Sequence, residues 1–332
     1  MQTKVMPFSE ESAALAAEIL KNGGIVGIPT ETVYGLAADA MNEAAVRSIF
    51  EAKGRPQDNP LIVHISSVEM LPPLVKEIPE LAKQLAEAFW PGPLTMIFPK
   101  SEVIPSATSG GLDTVAVRMP LSREARAIID CSGIPLAAPS ANLSGSPSPT
   151  TADHVFRDMN GRIPLIIDGG ACTFGVESTV ICFNERGIHV LRPGGITAEM
   201  LSEFANVEID GAVCAKPADN ARVLSPGMKY KHYSPKADVK IVDAHGEVFR
   251  DYCMNHQLGK TLAFGAGTPN EGIFRDYGAT SAEQANRLFA MLREADEQSA
   301  DTVYVEMPST AGIGLAVYNR LLRAAGFEVI KV

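Results

Sequence analysis

Cysteine is scarce in this chain, and what there is forms no framework. Cys131, Cys172, Cys182, Cys214 and Cys253 are scattered, odd in number and without a C-x-x-C spacing. This argues against a disulfide scaffold or a zinc ribbon and fits reduced core thiols in a cytoplasmic protein. No apolar run reaches bilayer-spanning length, and the segment Met1-Gln-Thr-Lys-Val-Met-Pro7 lacks the apolar core of a signal peptide. No membrane association is therefore expected. Excess positive charge is also missing. The formal net charge is −10, so a polyanion would have to be held by a local basic patch. Absent too are the Walker loop, the G-x-S-x-G elbow, H-E-x-x-H, the kinase set and any metal-ligand spacing.

What is present describes an ordinary globular protein of 332 residues, 46% hydrophobic and 20% charged, long enough for two domains. Ser9 can cap a first helix that Asn22-Gly23-Gly24 ends. Strand-like runs follow at 25–28, 61–65, 94–98, 114–118, 136–138, 165–167, 178–183 and 187–191, with helical patterns near 42–52, 79–89, 122–131 and 151–157. Alternating and hairpin-like connections together predict a mixed sheet with flanking helices over residues 1–207. Residues 208–237 read as a basic, Pro/Gly-punctuated linker. From residue 238 the order is strand 238–242, helix 246–256, strand 261–264, helix 281–298, strand 302–305, helix 313–325 and strand 327–330. That rhythm predicts a smaller parallel α/β domain over 238–332.

Small hydroxyls, glycines and cations follow the apolar runs repeatedly. Thr30 and Thr32 emerge after the run Ile25–Ile28, and Lys53 and Arg55 end a helical pattern before Leu61-Ile-Val-His-Ile65. Arg118 ends Val115-Ala-Val-Arg118, and Arg192 precedes Pro193-Gly194. One arginine at a strand end is ordinarily a solvated charge. Several beside Gly-Pro turns suggest a pocket for carboxylate and phosphate, which the guanidinium fork suits. The stretch 139–148 offers hydroxyls and amides for phosphate oxygens, although such a stretch is also an ordinary surface loop. His64 inside an apolar strand reads first as a core histidine. With no evident nucleophile, the set suits catalysis by positioning and charge neutralisation, as in phosphoryl or nucleotidyl transfer.

In order and spacing, these pieces resemble the Sua5/YrdC family of threonylcarbamoyl-AMP synthases. The matching segments are Pro29-Thr-Glu-Thr-Val-Tyr-Gly35, Lys53-Gly-Arg-Pro56, Asn59-Pro-Leu61, Trp90-Pro-Gly-Pro-Leu-Thr95 and Val117-Arg-Met-Pro120. To these are added Pro139-Ser-Ala-Asn142, Gly175-Val-Glu-Ser-Thr179 and Arg192-Pro-Gly194. The segment Leu224–Pro235 is similar to the Sua5 linker, and 238–332 to the Sua5 C-terminal domain. The resemblance implies a YrdC-like twisted mixed sheet followed by a Rossmann-like parallel α/β domain. The reaction it implies converts L-threonine, bicarbonate and ATP to threonylcarbamoyl-AMP, pyrophosphate and water, for N6-threonylcarbamoyladenosine modification of tRNA.

By motif position, Lys53 and Arg55 would be catalytic, and Thr32, His64, Arg118, Ala138 and Ser178 would bind threonine. Arg55, Asn59, Thr114, Ser140, Asn142, Ser148, Arg192 and Tyr230 would surround the nucleotide. Mg2+ would be held mainly by ATP phosphates and water. The expected partners are ATP, L-threonine, bicarbonate and the downstream tRNA threonylcarbamoyltransferase machinery, with weak RNA binding as a further option. The linker at 224–235 is expected to act as a lid. Two other readings compete: RNA binding without catalysis, disfavoured by the net charge, and carbamoyl transfer from carbamoyl phosphate, disfavoured by the missing zinc-finger cysteine pairs.

Overall fold

A computed structural model describes residues 2–57, 59–215 and 233–332. An eleven-stranded mixed sheet spans the first part, and a five-stranded sheet the second. The first contains β1 (Lys4–Pro7), β2 (Val26–Ile28), β3 (Gly35–Asp39), β4 (Ile62–His64), β5 (Leu94–Pro99) and β6 (Thr114–Arg118). It continues with β7 (Leu136–Ala137), β8 (Leu165–Asp168), β9 (Thr179–Asn184), β10 (Gly187–Arg192) and β11 (Val207–Ile209). In space the order is β1-β8-β2-β3-β7-β4-β6-β5-β9-β10-β11. This sheet runs to Ile209, two residues past the expected boundary at 207.

Helices α1 (Glu10–Lys21), α2 (Glu43–Lys53), α3 (Glu80–Phe89), α4 (Ser106–Ser109), α5 (Arg123–Ser132), α6 (Ala152–Met159) and α7 (Ala198–Leu201) accompany it. Ser9 caps α1 through a reciprocal bond with Ser12, satisfying two otherwise orphaned amides. Asn42 caps α2, and Gly54 closes it in the left-handed conformation at φ 61°. Lys53 and Arg55 flank that stop, and both line the cleft described below. β1 and β3 were not expected. β1 is a short, largely exposed strand beside β8, whereas β3 is a run of small residues whose fit comes from pairing with β2 and β7.

The second sheet is wholly parallel, in the order β14-β13-β15-β12-β16. Its strands are β12 (Asp238–Asp243), β13 (Thr261–Gly265), β14 (Phe274–Asp276), β15 (Thr302–Glu306) and β16 (Val329–Lys331). Helices α8 (Gly246–Asn255), α9 (Ser281–Glu297) and α10 (Gly314–Ala324) connect them. Parallel pairing requires crossovers, which these helices supply except between β13 and β14, joined by a loop. The core beneath α9 and α10 reaches across to the first domain, taking in Val33 and Val176 beside Leu288, Phe289 and Tyr233. Among the described residues no helix is long and apolar enough to cross a membrane.

Candidate active site

Sheet register assembles the site. β4 and β6 run parallel with His64 opposite Arg118, and β5 runs antiparallel to β6 with Thr95 opposite Arg118. β9 lies beside β5, and β10 returns along β9 to bring Arg192 opposite Val180. His64, Arg118, Thr95, Ser178 and Arg192 therefore form a row across one end of the sheet. Over this row sits an open cleft.

The cleft is lined by Thr32, His64, Arg118, Ala138 and Ser178 on one side of the expected assignment and by Lys53, Arg55, Ser140, Asn142 and Arg192 on the other. Three expected nucleotide residues do not line it. Asn59 is buried just before the lining residue Pro60, and neither of its side-chain polar atoms has a partner among the described residues. Ser148 is fully buried and donates its hydroxyl to Glu177 Oε1 at 2.6 Å, so it acts on the cleft wall and not on its surface. Thr114 opens β6, four residues before Arg118, and the length of the strand separates it from the row. Tyr230 lies outside the described residues, as does most of the expected lid. At the described end of the linker, Tyr233 lines the cleft with a positive φ of 64°, and Ser234 donates its amide to Gly145 O at 2.9 Å.

Each cation is held by neighbours that fix its direction. Arg118 donates through Nη1 to Thr32 Oγ1 at 3.0 Å, through Nη2 to Glu31 Oε1 at 2.6 Å and through Nε to Gly92 O at 3.3 Å. Burial alone would raise the Glu31 carboxyl, but the Arg118 charge and local hydrogen bonds hold it below the usual range. Arg192 donates through Nε to Ser178 O at 3.0 Å and through Nη2 to Ser178 Oγ at 3.1 Å. Lys53 Nζ is buried against the carbonyls of Ser140 and Asn142, the latter at 2.7 Å. Burial and the nearby Arg55 charge push its ammonium well below the ordinary lysine range. In this arrangement Lys53 ties α2 to the 139–148 loop while it lines the cleft.

His64 is buried, and burial with the Arg118 charge drives its pKa down to about 3. Its Nδ1 lies 3.2 Å from Ile62 O, which can only accept, so Nδ1 carries the proton and Nε2 is left as an acceptor. Sequence reasoning passed over the acids Glu31 and Glu177, although both lie within the quoted motifs. The signal was available: cations buried this deeply require carboxylate partners.

Two family models match the chain. The Sua5/YciO/YrdC model, described as telomere recombination, covers residues 18–194. The Sua5 C-terminal model, described as threonylcarbamoyl-AMP synthase, C-terminal domain, covers residues 196–326. The chain is 47% identical to the threonylcarbamoyl-AMP synthase of Pyrococcus abyssi, over 96% of this chain and 95% of that one. It is 42% identical to the Bacillus subtilis enzyme of the same name, over 99% and 97% respectively. The crystal structure of P. abyssi Sua5 complexed with L-threonine superposes with a TM-score of 0.91 at 46% identity, covering 100% of this chain and 99% of that one. With both models matched in order and relatives aligned along nearly their whole length, this chain belongs to the Sua5/YrdC family.

Proposed function

We infer that this chain is an L-threonylcarbamoyladenylate synthase, a nucleotidyltransferase that makes threonylcarbamoyl-AMP and pyrophosphate from L-threonine, bicarbonate and ATP. The observation that carries this reading is the convergence of Lys53, Arg55, Arg118 and Arg192 with a neutral His64 on one cleft of an acidic protein. Both reactants are anionic, so their approach requires that charge be neutralised first.

Threonine enters with its carboxylate toward Arg118, whose fork Thr32 and Glu31 already orient, and His64 Nε2 accepts a hydrogen bond from the amino acid. The threonine amine captures carbon dioxide, released with water from bicarbonate, as a carbamate. A carbamate oxygen then attacks the α-phosphorus of ATP, a P–O bond forms, and the α–β bridging bond breaks to release pyrophosphate. Arg55 and Arg192 neutralise the phosphates, while Lys53 holds the 139–148 loop that cradles them.

Among the described residues no group of three or more His, Cys, Asp or Glu is placed to hold a metal. The polar lining residues are mostly cations and hydroxyls, a donor set suited to magnesium arriving on the ATP phosphates, where it would neutralise their charge. The product goes to tRNA threonylcarbamoyltransferase machinery, and the chain works in the cytoplasm. Pyrophosphate release should require ATP, threonine and bicarbonate together. Release with ATP alone at the same rate would contradict the reading.

A further inference from the structure

The C-terminal domain reaches the cleft wall with a buried guanidinium. Arg320 on α10 is fully buried, at 0% exposure. It donates through Nε to Glu177 Oε2 at 2.9 Å, through Nη2 to Glu177 O at 3.2 Å and through Nη1 to Pro193 O at 2.7 Å. Glu177 immediately precedes Ser178, and Pro193 immediately follows Arg192. The guanidinium therefore bridges the entry to β9 and the exit of β10, the two places from which Ser178 and Arg192 face the cleft. The other Glu177 oxygen accepts from Ser148, so the 139–148 loop is fastened to the same carboxylate. Burial alone would raise the Glu177 carboxyl, yet the Arg320 and Arg192 charges and the Ser148 bond hold it below its usual range.

We propose that Arg320 is a positioning residue for adenylate synthesis, setting the spacing between Ser178 and Arg192 from the second domain. Its surroundings make that spacing rigid. Val176 is packed in the same apolar cluster as Leu288, Phe289 and Tyr233, and the Tyr233 ring lies 5.2 Å from that of Phe289. Arg293 on α9 clamps the neighbouring loop, donating to Asp158 Oδ2 at 2.8 Å and to Pro147 O. A charge alone could neutralise Glu177. Only a planar fork reaches the Glu177 carboxylate, the Glu177 carbonyl and the Pro193 carbonyl together, and lysine offers one point in its place. Neutralisation and spacing are therefore separable by Arg320→Lys.

The test uses the full chain, with pyrophosphate release followed while threonine and ATP are varied separately, and thermal melts run in parallel. Arg320→Lys should melt close to the parent, since the buried carboxylate keeps a cationic partner. Its kcat/KM for threonine should fall by at least about tenfold, with KM raised, as a small misplacement of site groups does. Arg320→Met should lose both melting temperature and activity. An Arg320→Lys chain with parental threonine constants would overturn the proposal. So would one that no longer folds, because Arg320 would then be only structural. The inference rests on the synthase reading, and the two fail differently. A parent chain that makes no product sinks that reading, whereas an active parent with an indifferent Arg320→Lys sinks this one alone.

Discussion

At the scale of single residues, most of the charges along the cleft are buried, Lys53, Arg118, Glu177 and Arg192 among them. Arg118 neutralises Glu31, with side chains only 4% exposed on each, and in the proposed reaction its fork also takes the threonine carboxylate. Removing it would strand a buried carboxylate, which is why such pairs cost several kcal/mol to break from one side. His64 has the opposite design, kept neutral by burial beside that arginine. Its pKa falls from 6.5 to about 3, so between those values the unfolded chain takes up a proton that the folded chain refuses. Stability is thus undiminished above the unfolded value and is lost as pH falls below it, at about 1.4 kcal/mol per pH unit. His154, depressed to about 4 mainly by burial, acts in the same direction, as do the lowered carboxyls of Glu31 and Glu177. His64→Asn, whose amide can still donate to Ile62, should lose about 2 kcal/mol less than the parent between about pH 7 and about pH 5. Urea unfolding at both pH values measures this, and equal losses in parent and variant would mean that His64 titrates normally.

At the scale of elements, the site is a set of loops held where strands end. The turn before β9 shows how tightly. Gly175 has a φ of +76°, and a Cβ there would lie 2.5 Å from Asn286 Cα on α9. Gly175→Ala should therefore cost about 2–5 kcal/mol, combining left-handed strain with overpacking against helix backbone, and should lower pyrophosphate release. Unchanged unfolding in urea would mean that α9 does not pack on this turn. The turn also marks how far the sequence could be read. Arg118 and Arg192 were legible because each ends an apolar run, and strand exits are where sheet proteins present such groups. The parallel rhythm of the second domain was legible from period and punctuation, apart from the three-residue β14. Arg320 was not, because its partner Glu177 lies 143 residues away and nothing local marks an arginine on an apolar helix as buried. Thr114 is placed at the nucleotide by motif position alone, yet it opens β6 and only the Arg118 end of that strand lines the cleft.

At the scale of the whole molecule, an overall charge of −10 coexists with a cationic cleft, and the second domain is part of how that cleft is kept in shape. Arg293, Arg320 and the apolar cluster around Val176 make the domain contact continuous with the cleft wall. The described end of the linker lies against the same wall through Tyr233 and Ser234. All of this serves one claim, that threonine, bicarbonate and ATP are joined in a single site. The most direct measurement is mass spectrometry of the mixture formed by the purified chain with ATP, L-threonine, magnesium and carbon-13 bicarbonate. The account predicts threonylcarbamoyl-AMP whose mass carries the bicarbonate isotope, formed in step with pyrophosphate. Pyrophosphate released without that adenylate, or an adenylate lacking the labelled carbon, would contradict it.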